Sequence, residues 1–213
     1  MGKLYILMGK SASGKDTIYK KLLENEGLSL VPYVGYTTRP IRSGETEGKE
    51  YFFTDEKKLE QFEREGRLIE KRVYHTVHGD WIYYSVDDGK LDLEKNDYLY
   101  IGTLESFVPL KAYYGGDRVV PLYVEVEDGL RLSRALERER KEKCPKYAEL
   151  CRRFLGDTED FSEEKIKAAG VVARYNNENL EACLGKIIET IKKGNTEDSE
   201  SPCLPCAKGG GRR

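Results

Sequence analysis

The sequence predicts an α/β fold, a parallel sheet flanked by helices and interrupted by two insertions, one β-rich and one helical and charged. Three observations predict it. An apolar run, KLYILM from Lys3 to Met8, leads straight into a glycine-bearing loop and then an amphipathic helix. Strand-like and helix-like stretches alternate again in the second half of the chain, as in parallel sheets with helical crossovers. Between these, residues 31–86 are rich in Tyr, Thr and Val and read as short strands. A chain of 213 residues with 38% hydrophobic content can bury a substantial core and carry such insertions.

Taken in order, the first strand is followed by a helix from about Lys15 to Glu24, whose apolar face is Ile18, Leu22 and Leu23. In the β-rich stretch, GYTTRP, YFF and RVYHTVHGDWIYYSV are strand candidates. One helix interrupts them, roughly Asp55 to Glu65, with Thr54 as its expected cap. DYLYIG and RVVPLYVEV read as buried strands, with a helix near Glu105 to Tyr113 between them. A charged helix runs from Gly129 to about Lys143 and stops before Pro145, and short helices continue to about Ala168. GVVARY is expected as the last strand and NLEACLGKIIETIKK as the closing helix.

Charged residues make up 35% of the chain, yet the net charge is only -2, so both signs are interspersed. That balance argues against a general nucleic-acid or membrane-surface binder. No apolar run approaches the roughly 18 residues of a membrane span, and Met1 to Met8 reads as a strand rather than a leader. A cytoplasmic protein is expected. Cys144, Cys151 and Cys183 fall in helical patterns and are read as small hydrophobes. Cys203 and Cys206 form C-x-x-C within NTEDSESPCLPCAKGGGRR, with no second pair and no nearby His, so residues 195–213 are expected to be a disordered tail rather than a zinc site.

The loop Gly9-Lys10-Ser11-Ala12-Ser13-Gly14-Lys15 fits G-x-x-x-x-G-K between a strand and a helix. Glycines let backbone N–H groups converge on phosphate oxygens, and the helix start adds the positive end of its dipole. Lys15 would reach the β- and γ-phosphates. Asp16 stands where this pattern has Ser or Thr. A carboxylate about 4 Å from a phosphate oxygen costs roughly 4 kcal/mol at an effective dielectric near 20. A Mg²⁺ ion between them removes that cost, since Mg²⁺ takes carboxylate ligands and retained waters. Asp16 and Thr17 are therefore the expected metal ligands.

Further on, Arg39, Arg42, Tyr51 and Tyr83 offer guanidinium and phenol donors suited to a phosphate dianion, with Glu70 and Ser85 available to a base edge. By themselves these residues fit two readings equally, a monophosphate site or a solvated charged hairpin.

The run TTRPIRSGETEGKEYFF resembles the guanylate kinase family, whose pattern T-T-R-P-x-R-x-G-E-x-x-G-x-x-Y-x-F is met by Thr37, Thr38, Arg39, Pro40, Arg42, Gly44, Glu45, Gly48, Tyr51 and Phe53. GRLIE follows at the family's spacing. The resemblance implies a P-loop NTPase-type core, an NMP-binding insertion and a helical lid. The core would comprise 1–34, 87–128 and 170–194, the insertion 35–86 and the lid 129–169. It also implies that Arg39, Arg42, Tyr51 and Tyr83 hold the acceptor phosphate, that Glu45 orders the arginines, and that Glu70 and Ser85 read guanine. In the lid, Arg138 and Arg153 match the family's catalytic arginines, with Arg152 the alternative to Arg153. Asn176 or Asn177 matches an Asn near the adenine, and Asn176 is taken as the contact.

Departures accompany the match. Gly35 replaces a family Ser, Tyr100 and Gly102 replace acids of one strand, and the turn after Arg138 lacks R-G-[ST]-E. Asp16, or Glu105 a turn further on from that strand, could supply the missing carboxylate. The expected reaction is ATP + NMP → ADP + NDP with Mg²⁺ and with GMP the leading acceptor. Catalysis would rest on alignment and charge neutralisation, and His75 and His78 are given no role. Two alternatives stand beside it: a binding module that takes phosphorylated peptide in the Arg/Tyr pocket, and a kinase for another, modified or deoxy, monophosphate.

Overall fold

The computed structural model describes residues 2–76 and 79–197. His78, Cys203 and Cys206 lie outside them. In chain order the elements are β1 Leu4–Met8, α1 Lys15–Leu23, β2 Val31–Pro32, β3 Tyr36–Thr37, β4 Phe52–Phe53, α2 Glu56–Arg64, β5 Leu68–Thr76 and β6 Gly79–Val86. There follow β7 Tyr98–Ile101, α3 Leu104–Tyr114, β8 Val119–Glu125, α4 Asp128–Arg140, α5 Tyr147–Asp160, α6 Glu163–Ala168, β9 Arg174–Asn176 and α7 Leu180–Glu197.

β1 is apolar at every position because both faces of its sheet are covered. Leu4, Ile6 and Met8 point to one side, where Phe107 and Leu110 of α3 and Ile166 of α6 pack. Tyr5 and Leu7 alternate to the other, against Ile18 and Leu22 of α1 and Ile187 and Ile191 of α7. The sheet order is β2-β7-β1-β8-β9, and every pairing is parallel. The ends of the central strands therefore meet at β1, where the glycine loop leaves the sheet.

The β-rich stretch forms a second sheet, β4-β3-β6-β5, with its own small core of Tyr36, Leu59, Phe62, Tyr84 and Val86. β5 and β6 are a long antiparallel hairpin pairing Glu70 with Ser85 and Arg72 with Tyr83. Its register puts Glu70 and Arg72, two apart, on one face.

Several local expectations are corrected. Asp55, not Thr54, caps α2, accepting from the Lys58 N–H at 2.9 Å; the Thr54 hydroxyl instead meets the Tyr84 phenol at 2.6 Å. The last strand begins at Arg174 rather than Gly170, because Gly170, at φ +71°, closes α6 in a left-handed turn. The segment after Pro145 holds a four-turn helix, α5, rather than only short ones. Of the cysteines, Cys183 is buried, whereas Cys144 and Cys151 are exposed. Among the described residues no helix is long and apolar enough to cross a membrane.

Candidate active site

The loop after β1 turns on two glycines. Gly9 has φ +157° and a Cβ there would lie 2.4 Å from the Val124 carbonyl oxygen. Gly14, at φ +86°, starts α1, and a Cβ there would lie 2.3 Å from the Asn177 side-chain nitrogen. That nitrogen donates to the Ser13 carbonyl at 2.8 Å. The Asn177 N–H bonds to the Glu125 carbonyl at 2.9 Å, which ties the residue to the end of β8. Asn177 is thus the asparagine that shapes the loop. Asn176 is exposed, its amide bonded to Glu178 at 3.2 Å.

Thr17 and Ile18 donate to the Gly14 carbonyl, and the N–H groups of the first turn precede any intrahelical acceptor. Ala12, Gly14, Lys15, Asp16 and Thr17 line a cavity of about 200 Å³ whose other wall is Arg134 and Arg138 of α4. Arg134 also donates to the Asn177 carbonyl at 3.1 Å. Arg138 therefore faces the loop. Arg153 does not line this cavity; on α5 it donates to Glu149 at 2.9 Å beside Arg152. Those hydrogen bonds, from Arg152 first and Arg153 after it, hold the Glu149 carboxyl down at about 2.

Behind the cavity a buried guanidinium joins α4, α5 and the loop. Arg131 donates to Asp157 at 3.0 Å, to Asp128 at 3.1 Å and to the Ser11 carbonyl at 3.4 Å. Its Cζ lies 4.1 Å from the centre of the Phe154 ring. Asp157 in turn accepts the Ser11 N–H at 2.8 Å, and Lys10 pairs with Asp128 at 3.3 Å. The Ser13 hydroxyl is buried in the loop with no partner among the described residues.

The second half of the site lies on the β-rich sheet. Arg39, only 2% exposed, donates to both Glu45 oxygens at 2.8 and 2.9 Å and to the Tyr83 phenol at 3.0 Å. Tyr51 packs edge-on against Tyr83, and Arg39 lies over the Tyr51 ring. Burial raises the Tyr51 phenol above its ordinary range, so it stays a donor at neutral pH. Glu45 also accepts the Arg42 N–H at 2.8 Å, while the Arg42 guanidinium lies exposed over Trp81. The structure brings Arg39, Glu45, Tyr51 and Tyr83 together and sets Arg42 at their edge. His75 pairs with Asp80 at 2.7 Å on the exposed hairpin.

The hydrogen bonds from Arg39 hold the Glu45 carboxyl below its ordinary 4.5. The stability this pair supplies is complete above that ordinary value and is lost as pH falls through the lowered folded value. In urea melts, Glu45→Gln is expected to be less stable than the parent at pH 7, with the gap closing towards pH 3. A gap independent of pH would show that the charge of Glu45 is not what stabilises the fold.

Glu70 and Ser85 are both buried and bonded to each other at 2.8 Å. Arg72 joins them, its Nε 3.0 Å from Glu70. Two features carry little local mark in the sequence: Arg72, signalled only by its two-residue spacing from Glu70 on a strand, and the Arg131–Asp157 pair, for which no local pattern exists.

The guanylate kinase family model matches residues 1–81. A guanylate kinase of Legionella pneumophila (strain Lens) is 45% identical over 79 residues, 37% of this chain and 37% of that one. The matched stretch thus spans little more than a third of that relative's length. One from Fusobacterium nucleatum is 28% identical over 208 residues, covering 91% of this chain and 98% of its own. The crystal structure of guanylate kinase from Anaplasma phagocytophilum superposes with a TM-score of 0.60 at 19% identity, over 90% of this chain and 85% of that one. The expected fold and resemblance are borne out.

Proposed function

We propose that this chain, similar to guanylate kinases, is a kinase that moves the γ-phosphoryl group of ATP to a nucleoside monophosphate. The observation that carries this is the cavity in which the start of α1, with Lys15, faces Arg134 and Arg138 of the charged helix. Cations on opposite walls suit a polyphosphate whose charge spreads during transfer. Residues 9–17 would hold the triphosphate, and the lone Ser13 hydroxyl and first-turn N–H groups of α1 fit it. Asp16 and Thr17, both exposed beside Lys15, form an oxygen donor set that fits Mg²⁺. That ion, when bound, neutralises phosphate charge. Arg39, Tyr51 and Tyr83, with Arg42, would hold the acceptor phosphate. Its own oxygen is the nucleophile, so no general base is required.

GMP, the acceptor in the relatives' name, is the reference substrate. A second reading, a kinase for another monophosphate, is favoured by the ion pair of Arg72 with Glu70. ADP release with ATP, Mg²⁺ and each monophosphate in turn tests the proposal. ADP should form only with an acceptor present, and Asp16→Ser should need more Mg²⁺ for half-maximal rate. An unchanged Mg²⁺ dependence would remove Asp16 from the metal site. No turnover with any acceptor and no binding of Mg·ATP would favour the phosphopeptide module.

A further inference from the structure

We infer that Arg72 sets the choice of acceptor: by occupying Glu70 it turns the distal end of the monophosphate pocket from a hydrogen-bond acceptor into a donor. The inference rests on the monophosphate-kinase reading and names its substrate class, a monophosphate whose base presents acceptor atoms rather than guanine's pair of N–H donors.

Lone pairs decide the point. A carboxylate has about four lone-pair positions. Glu70 already accepts from Arg72 Nε at 3.0 Å, from Arg72 Nη2 at 3.4 Å and from the Ser85 hydroxyl at 2.8 Å. Reading an N–H beside an amino group takes two positions, and roughly one is left. The pair is sequestered, with side-chain exposures of 12% for Arg72 and 4% for Glu70. Arg72 is braced on its other side by the Thr103 hydroxyl at 3.1 Å, the same hydroxyl that caps α3. A donor edge approaching here meets the N–H groups of Arg72 in front of the carboxylate they occupy.

Neither Tyr100 of β7 nor Gly102 just after it supplies a carboxylate in place of Glu70. A side chain at Gly102 would lie 2.7 Å from Ile6 and 2.8 Å from the Ser106 hydroxyl, so a carboxylate has no room there. Tyr100 is buried, and a Cβ at Gly35 would lie 3.3 Å from its hydroxyl. Gly35 thus leaves the room that the Tyr100 ring occupies. Arg72 opens onto a cavity of about 310 Å³ that Glu70, Tyr74, Glu105 and Asp160 also line. Glu105 and Asp160 are the carboxylates that could instead meet a donor edge, and the experiment separates that case.

The test compares kcat/KM for GMP, IMP, AMP, CMP and UMP, with ATP and Mg²⁺, in the parent, Arg72→Met and Arg72→Lys. The parent should use AMP or CMP, whose base edges carry an acceptor ring nitrogen, at least tenfold better than GMP. Arg72→Met should shift that ratio towards GMP by tenfold or more, while Arg72→Lys should keep the parent's order. A parent that prefers GMP, or a ratio unmoved in a folded Arg72→Met, overturns the inference. Should Arg72→Met fail to fold, the order of acceptors in the parent and Arg72→Lys decides it. If none is phosphorylated, the kinase reading fails separately; calorimetric binding of the same five monophosphates to the parent then decides, GMP tightest overturning the role of Arg72.

Discussion

Arg131→Ala is expected to cost about 3–5 kcal/mol of stability, the range for removing one partner of a buried ion pair. Arg131 is 1% exposed and serves Asp128, Asp157 and the Ser11 carbonyl together. Its loss leaves Asp157, a half-buried carboxylate, with the Ser11 N–H and hydroxyl as its remaining partners. It also strips the Phe154 ring of its stacked cation. Urea unfolding followed by far-UV circular dichroism gives the number. Arg131→Met/Asp157→Leu, which removes the pair rather than breaking it, should recover much of the loss. A single variant within 1 kcal/mol of the parent would mean that this network does not tie α4 and α5 to the loop.

The second large effect concerns the proposed phosphoryl transfer. Lys15→Ala should lower kcat by about 10²–10³, the usual consequence of deleting one fixed donor to developing charge. Arg138→Ala should fall in the same range, because Arg138 shares the cavity with Lys15. Arg153→Ala should change kcat by less than about threefold, since its guanidinium is held by Glu149 and it does not line the cavity. Steady-state rates at saturating substrate separate the three. If Arg153→Ala fell as far as Arg138→Ala, α5 would have to rearrange during turnover.

The parts legible in the sequence were local ones. A both-sides-buried strand, a glycine loop and a helix follow one another within residues 3–23, and each rests on near neighbours. Arg39 and Glu45, six apart, form a pair that the TTRPIRSGE pattern already contains. The unread contacts join distant segments: Ser11 to Asp157 across 146 residues and Asn177 to Ser13 across 164. No periodicity reports such pairs. The choice between Asn176 and Asn177 shows the same limit, because strand alternation decides which side chain turns inward, and β9 began four residues later than its apolar letters suggest. Arg72 escaped because a charged residue on a strand reads as solvent-facing until its partner is known.

The parallel pairing of β1 also dictates an order of manufacture. Its partners are Tyr98–Ile101 and Val119–Tyr123, so the first strand leaves the ribosome long before anything exists for it to pair with. At about 5–20 residues per second, several seconds pass before β8 follows. The glycine loop waits longer still, since Asp157 and Asn177 must be made before Ser11 and Ser13 acquire their contacts. A nascent chain halted after residue 81 would carry the whole stretch matched by the family model and still lack a finished loop. The residues of the loop are thus made well before the segments that shape it.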